Sequence, residues 1–298
     1  MKKLCIFIAL AVLCLTSCGC PDCDVAAGFS TNGTTIFVTK DVNGTYKIDP
    51  DQITLRSSCS WRATNLNPEY LEFVNTSGEG GVVYLPVDLT QTFFDALAED
   101  ISQFPEDATG NRKIGSIRLD SGCDPSFNVD VYLKDFLVLS FDTNGGEGVA
   151  PKPKGFVIGE EITIPENNTG MTFSSKTFVG WNTDKDGKGD FYKDGSKKTF
   201  AGNTTLYAMW SGDGSSASAR IHIYNRRTLD HVRTTIDEGL YYLVVADFNA
   251  NYDEVDDEMF DSWERLGGSA GPFIGDFDGN DHTIEYHVKE IQIGRAHV

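Results

Sequence analysis

The segment KTFVGWNTDKDGKGDFYKDG, residues 176–195, sets acidic side chains at the alternating spacing that a calcium loop uses. Such a loop takes oxygen ligands at positions 1, 3, 5 and 12 and a Gly at position 6. Counting from Asp184, positions 1, 3 and 6 are Asp184, Asp186 and Gly189, but position 5 is Lys188 and position 12 is Gly195. A cation at the fifth ligand and no bidentate Glu argue against a metal. A second acidic run, 247–261, holds seven carboxylates without a cation, and Asp276, Asp278 and Asn280 follow; both read as solvated loops rather than a calcium patch. Gly267-Gly268-Ser269-Ala270-Gly271 fits the Gly-x-Ser-x-Gly pattern. A nucleophile elbow needs an apolar strand before it and a helix after it, whereas DSWERL precedes and Pro272 follows. The five histidines, His222, His231, His282, His287 and His297, make no zinc spacing. Cys20-Pro21-Asp22-Cys23 has redox spacing but stands near the N-terminus rather than at the head of a helix. No Gly-rich loop ends in Lys-Ser/Thr. The reading is therefore no catalytic residues, no metal site and no cofactor.

The N-terminus supplies a different chemistry. Lys2 and Lys3 precede an apolar run, Leu4 to Leu15, that is too short to span a bilayer but right for a signal-peptide core. The run ends in Leu15-Thr16-Ser17-Cys18, which resembles the lipobox of bacterial lipoproteins. That resemblance implies cleavage after residue 17, acylation of Cys18, and export to the outer membrane or cell surface with the membrane as partner. Three acyl chains, at about 0.8 kcal/mol per buried methylene, make such an anchor effectively permanent. The net charge is −19, two units more negative once Lys2 and Lys3 leave with the leader. Nucleic acid is excluded as a partner, because its affinity comes from neutralising phosphates.

With Cys5 and Cys14 lost in the leader and Cys18 acylated, Cys20, Cys23, Cys59 and Cys123 remain. They allow three pairings. Cys59–Cys123 is favoured, because both lie in well-patterned sequence of one module.

The elements that must carry these residues are mostly strands, in three segments behind an 18–30 tether. Residues 31–137 read as an Ig-like sandwich, with Asn43-Gly44 turning a hairpin. Phe93, Phe94, Leu97, Ile101 and Phe104 recur at helical spacing until Pro105 stops them. The order ITLRSSCSWRATNL, YLEFVNTSGEGG, RKIGSIRLDSG resembles the BACON family, which implies contact with glycan or mucin.

Residues 138–211 carry Phe141, Asn144-Gly145-Gly146, Pro165, Phe178-Val179-Gly180-Trp181-Asn182, Asp186-Gly187 and Leu206-Tyr207-Ala208-Met209-Trp210. These elements, in order, resemble the internalin B-repeat, or Listeria–Bacteroides repeat. The resemblance implies a compact β-grasp module of bacterial surface proteins without catalytic residues. Leu206, Ala208 and Trp210 fall on one face of a closing strand. Trp181 and Trp210 provide the buried area a small module needs, and the Asp/Lys/Gly run becomes a loop with its charges in water.

Ser211 to Ala219 has no large apolar residue and reads as a flexible linker. Residues 220–292 then run through RTLDHVR, YYLVVADF and PFIGDFDGNDHTI, which resembles one coil of a GLUG-type parallel β-helix. Phe273, Phe277 and Ile284 are expected to point inward. A solenoid needs about three repeats for stability, and IGRAHV, residues 293–298, resembles a translated sequencing adapter, so the natural protein is expected to continue into further coils. The whole reads as a mainly-β, lipid-anchored surface protein for adhesion to a host protein or glycan. The rival reading is a glycan-binding accessory of a carbohydrate-degrading system.

Overall fold

A computed structural model describes residues 30–73, 76–253, 257–260 and 272–287. Cys18, Cys20, Cys23, Ser269, His297 and the 293–298 tail lie outside them. The chain is mainly β. It divides into two compact units that meet between Phe136 and Leu137.

In the first unit two sheets are built by alternation. Gln52–Ser57 pairs antiparallel with Gly81–Leu89, flanked by Ser30–Thr31 and Leu71–Phe73. The second sheet runs Tyr46–Asp49, Thr35–Lys40, Phe127–Leu133, Arg112–Ser121, Trp61–Asn65, Ser77–Gly78, with Thr35–Lys40 and Phe127–Leu133 parallel. Along Thr35–Lys40, Gln52–Ser57, Gly81–Leu89 and Phe127–Leu133 buried side chains alternate with less buried ones, placing Ile53, Leu55 and Leu85 of one sheet and Ile36, Val38 and Val131 of the other in the core. The Asn43-Gly44 hairpin forms, with Gly44 at φ +87.

The apolar run expected as one helix is broken. Helix α1 spans Gln91–Glu99, capped by Thr90 Oγ1, which accepts from the Phe93 N–H at 3.1 Å. Asp100 is extended, and its carboxylate accepts from the Ser102 N–H, starting a 3-10 turn at Ile101–Gln103. An acidic side chain that caps its own successor competes with helix continuation. Phe93, Leu97, Ile101 and Phe104 still reach the core, at 6 % exposure or less. A disulfide joins Cys59 to Cys123, Cα atoms 6.2 Å apart.

The second unit begins with a five-stranded sheet ordered Lys154–Phe156, Leu137–Asp142, Thr204–Ser211, Thr177–Asn182, Phe191–Tyr192. Its central pair is parallel, with Phe141 opposite Leu206. No helix lies in residues 138–211; loops and the short pair Ile162–Thr163 with Lys197–Lys198 cross the sheet instead. Leu139, Phe156, Trp181, Leu206, Ala208 and Trp210 form the core.

The chain then enters a coil of three parallel strands, Ile221–Ile223, Tyr241–Val244 and Asp276–Asp278. Helix α2, Arg226–Thr234, connects the first two and starts with a capping box between Asn225 and Thr228. Phe273, Phe277 and Ile284 pack on Tyr242, Val244 and Leu229.

The segment expected as a flexible linker is a hydrogen-bonded turn. Gly212 N–H donates to Arg220 O, Gly214 N–H to Ala219 O, and Tyr241 N–H to Gly214 O, at 2.7–2.9 Å. A Cβ on Gly212 would lie 2.2 Å from Ala219 O. The glycine serves close backbone approach rather than mobility, so the five-stranded sheet and the coil are continuous within one unit.

Candidate functional site

The Asp/Lys/Gly loop does not simply face water; it clasps the coil. Asn182, at the end of its strand, is fully buried. Its Nδ2 donates to Gly189 O and to Val245 O of the coil, both at 3.1 Å. Its Oδ1 accepts from the Asp184 and Gly189 N–H groups, which satisfies the amide completely. Gly187, at φ +76, lies so close to Val245 that a Cβ would sit 2.9 Å from Cγ1. From the coil, Asn280 Nδ2 donates to Asp186 O at 3.1 Å, and His282 Nε2–H donates to Gly187 O at 2.5 Å. His282 Nδ1 lies 2.9 Å from Asp247 Oδ1. The Thr283 N–H and then His282 hold the Asp247 carboxyl below the usual carboxylate range. The Phe191 and Tyr224 rings stack at 5.0 Å across the same seam.

Asp184 Oδ1 is engaged by its own loop, accepting from the Asp186 and Lys188 N–H groups. Among the described residues no three His, Cys, Asp or Glu side chains are placed to hold a metal ion.

Beside the clasp is a cavity of about 240 Å³, walled by Trp210, Phe173, Lys176, Lys185 and His222 among others. His222 Nδ1 is shut from solvent and has no hydrogen-bond partner among the described residues. Burial, with the Lys176 charge adding to it, pushes the imidazole down to about 4. An unfolded His takes its proton near 6.5. The unfolded chain therefore binds more protons between these values, and stability is full above about pH 6.5 and lost as pH falls toward 4. The loss from this group between pH 7 and pH 4.5 is expected to be roughly 2–3 kcal/mol. Denaturant titration of wild type and His222→Gln at both pH values checks it: the variant loses less by that amount, and equal losses would contradict the assignment.

In the first unit, a polar cleft of about 550 Å³ opens where Trp61–Asn65 meets Ser77–Gly78 and Arg112–Ser121. Ser60, Arg62, Glu79, Asp120 and Ser121 line it over Trp61. The indole is 5 % exposed, and its Nε1 is buried without a partner among the described residues. Gly78 lies flat against it, because a Cβ there would sit 3.0 Å from Cζ2 and Nε1.

The fully buried Trp181 donates from Nε1 to Pro165 O, and Trp210 from Nε1 to Thr143 O, each at 2.8 Å. Asn144 and Gly145 turn the chain at φ +49 and +83. Residues 138–209 match the Listeria-Bacteroides repeat domain. A protein of Evansella cellulosilytica described as a Gly-rich membrane protein is 40% identical over 76 residues, which are 24% of this chain and 8% of that protein. A second, described as a membrane protein, is 33% identical over 72 residues, 24% of this chain and 11% of its own. The chain thus spans about a tenth of the length of these relatives. Among solved structures, a Bacteroides ovatus GH5 xyloglucanase in complex with a XXXG heptasaccharide aligns with 10% identity and a TM-score of 0.25. That alignment covers 74% of this chain and 46% of the xyloglucanase.

Sequence reasoning placed the tryptophans of the repeat but missed its clasp. Asn182 was read as part of the Phe178–Asn182 motif, but nothing in the sequence showed that its amide reaches across to Val245. Nor is the acidic run entirely solvated: Arg227 bonds both Asp253 oxygens at 2.9 and 3.0 Å, and Arg220 pairs with Asp276 at 2.8 Å. Those cations come from distant sequence. No helix among the described residues is long and apolar enough to cross a membrane.

Proposed function

We propose that this is a modular protein displayed on a bacterial cell surface, held there through acylated Cys18, and that it binds a glycan or a host protein rather than transforming one. The observation that carries surface display is the Listeria-Bacteroides repeat at residues 138–209. The two Evansella relatives described as membrane proteins agree with it. Binding is supported by the cleft over Trp61. There hydroxyls, a guanidinium and two carboxylates stand within one small concavity, the mix of donors and acceptors that a polyhydroxylated ligand engages. The same cleft favours a second reading, an accessory that holds glycan for a carbohydrate-degrading enzyme.

The anchor has a direct test. In cells fed radiolabelled palmitate, the wild-type chain is expected to carry label and Cys18→Ala to carry none and leave the membrane fraction. Equal labelling of the two would defeat the acylated-thiol anchor.

A further inference from the structure

We propose that the cavity between the repeat and the coil is a second binding site, for an acidic sugar ring of the uronate class. It stands independently of the cleft over Trp61. Its walls are rigid: the Trp210 indole is fixed by its bond to Thr143 O, and the Phe173 ring stands perpendicular to it, 5.9 Å away. The half-buried Phe173 ring offers the apolar edge of a sugar a wall to lie against, and the Trp210 indole, 5 % exposed, braces that wall rather than touching the ligand broadly.

The polar groups around them are unspent. Lys176 and Lys185 line the cavity, and neither is ion-paired among the described residues; Lys176 Nζ instead sits 4.6 Å from the Phe173 ring centre. Two unpaired ammonium groups are a receptor for a carboxylate. The net charge of −19 does not cancel this, because at physiological salt charges beyond about 8 Å are screened. Asn144 donates from Nδ2 to Lys185 O and Ala208 O. Both partners are carbonyls, so the amide orientation is forced and Oδ1 is left to accept. The Asp186 carboxylate is likewise without a hydrogen bond among the described residues. Two acceptors beside two cations fit hydroxyls next to a carboxylate, where a simple organic acid would leave the acceptors unused. His222 lines the same cavity with its Nδ1 turned away from solvent, so its ring reports on occupancy without bonding the ligand.

Calorimetric titration of the full chain with glucuronate, glucose and acetate tests the site, with the His222 ring followed by NMR. Glucuronate is expected to bind in the millimolar range or tighter and to shift the His222 resonances. Glucose and acetate should each be at least about tenfold weaker. The double variant Lys176→Met/Lys185→Met, compared at equal melting temperature to the parent, is expected to lose glucuronate affinity about tenfold or more. No binding at about 10 mM glucuronate, an unchanged affinity in the variant, or acetate as strong as glucuronate would each overturn the proposal.

Discussion

Replacing Trp181 with Ala is expected to cost the repeat about 3–5 kcal/mol, the range for truncating a large aromatic in a packed core. The indole is fully buried, and Phe141 and Phe178 meet it edge-on at 5.1 and 5.3 Å. The Ala side chain cannot refill the space, because Leu206 and Ala208 of the neighbouring strand are held in register by the sheet. The change also leaves Pro165 O, which is half-buried, without its indole donor. Domains of this kind are stable by only about 5–15 kcal/mol, so the variant should sit near its unfolding threshold. Because Asn182, the next residue, ties the repeat to the coil, the coil is expected to loosen in the same transition. Denaturant unfolding followed by Trp fluorescence and by hydrogen exchange in the coil reads both effects. A loss below about 1 kcal/mol would mean that Trp181 does not organise this core.

Removing the disulfide is expected to act on the other unit alone. Cys59 and Cys123 are 64 residues apart in sequence, and closing a loop of that length restricts the unfolded chain by about 4 kcal/mol. The bond ties the turn after Gln52–Ser57 to the end of Arg112–Ser121, next to the cleft over Trp61. The variant Cys59→Ser/Cys123→Ser, or the wild type under reductant, should therefore unfold its first unit at markedly lower denaturant. The transition of residues 137–253 should stay where it was. A first unit indifferent to reductant would contradict the linkage.

Much of this architecture was legible in the residues because its signals are local. Alternation gives the sheets, Asn43-Gly44 gives the hairpin, and the spacing of Phe93 and Leu97 gives α1. The aromatic and glycine pattern from Phe141 to Trp210 gives the repeat. What was not legible depends on long-range contact. Glycine serves equally for freedom and for close approach, so Gly212 suggested a linker where the backbone in fact folds tightly, and Gly187 suggested a solvated loop where it meets Val245. Met209 shows the same limit: on its own strand it alternates with the buried Ala208 and Trp210, yet it is only 2 % exposed. The acidic run hid its partners because Arg220 and Arg227 precede it by 26 residues or more in the pairs they form with Asp253 and Asp276. For the site, the composition of the clasp was visible, but the convergence of Trp210, Lys176, Lys185 and His222 on one cavity was not. Those side chains come from different strands and loops of two successive modules.

Display at the cell surface is the claim on which the functional account rests, and labelling intact cells tests it most directly. An antibody raised against residues 138–211, applied to unpermeabilised cells, is expected to stain the wild type and to lose that staining when Cys18 is replaced by Ala. Staining that emerges only after the envelope is permeabilised would contradict it.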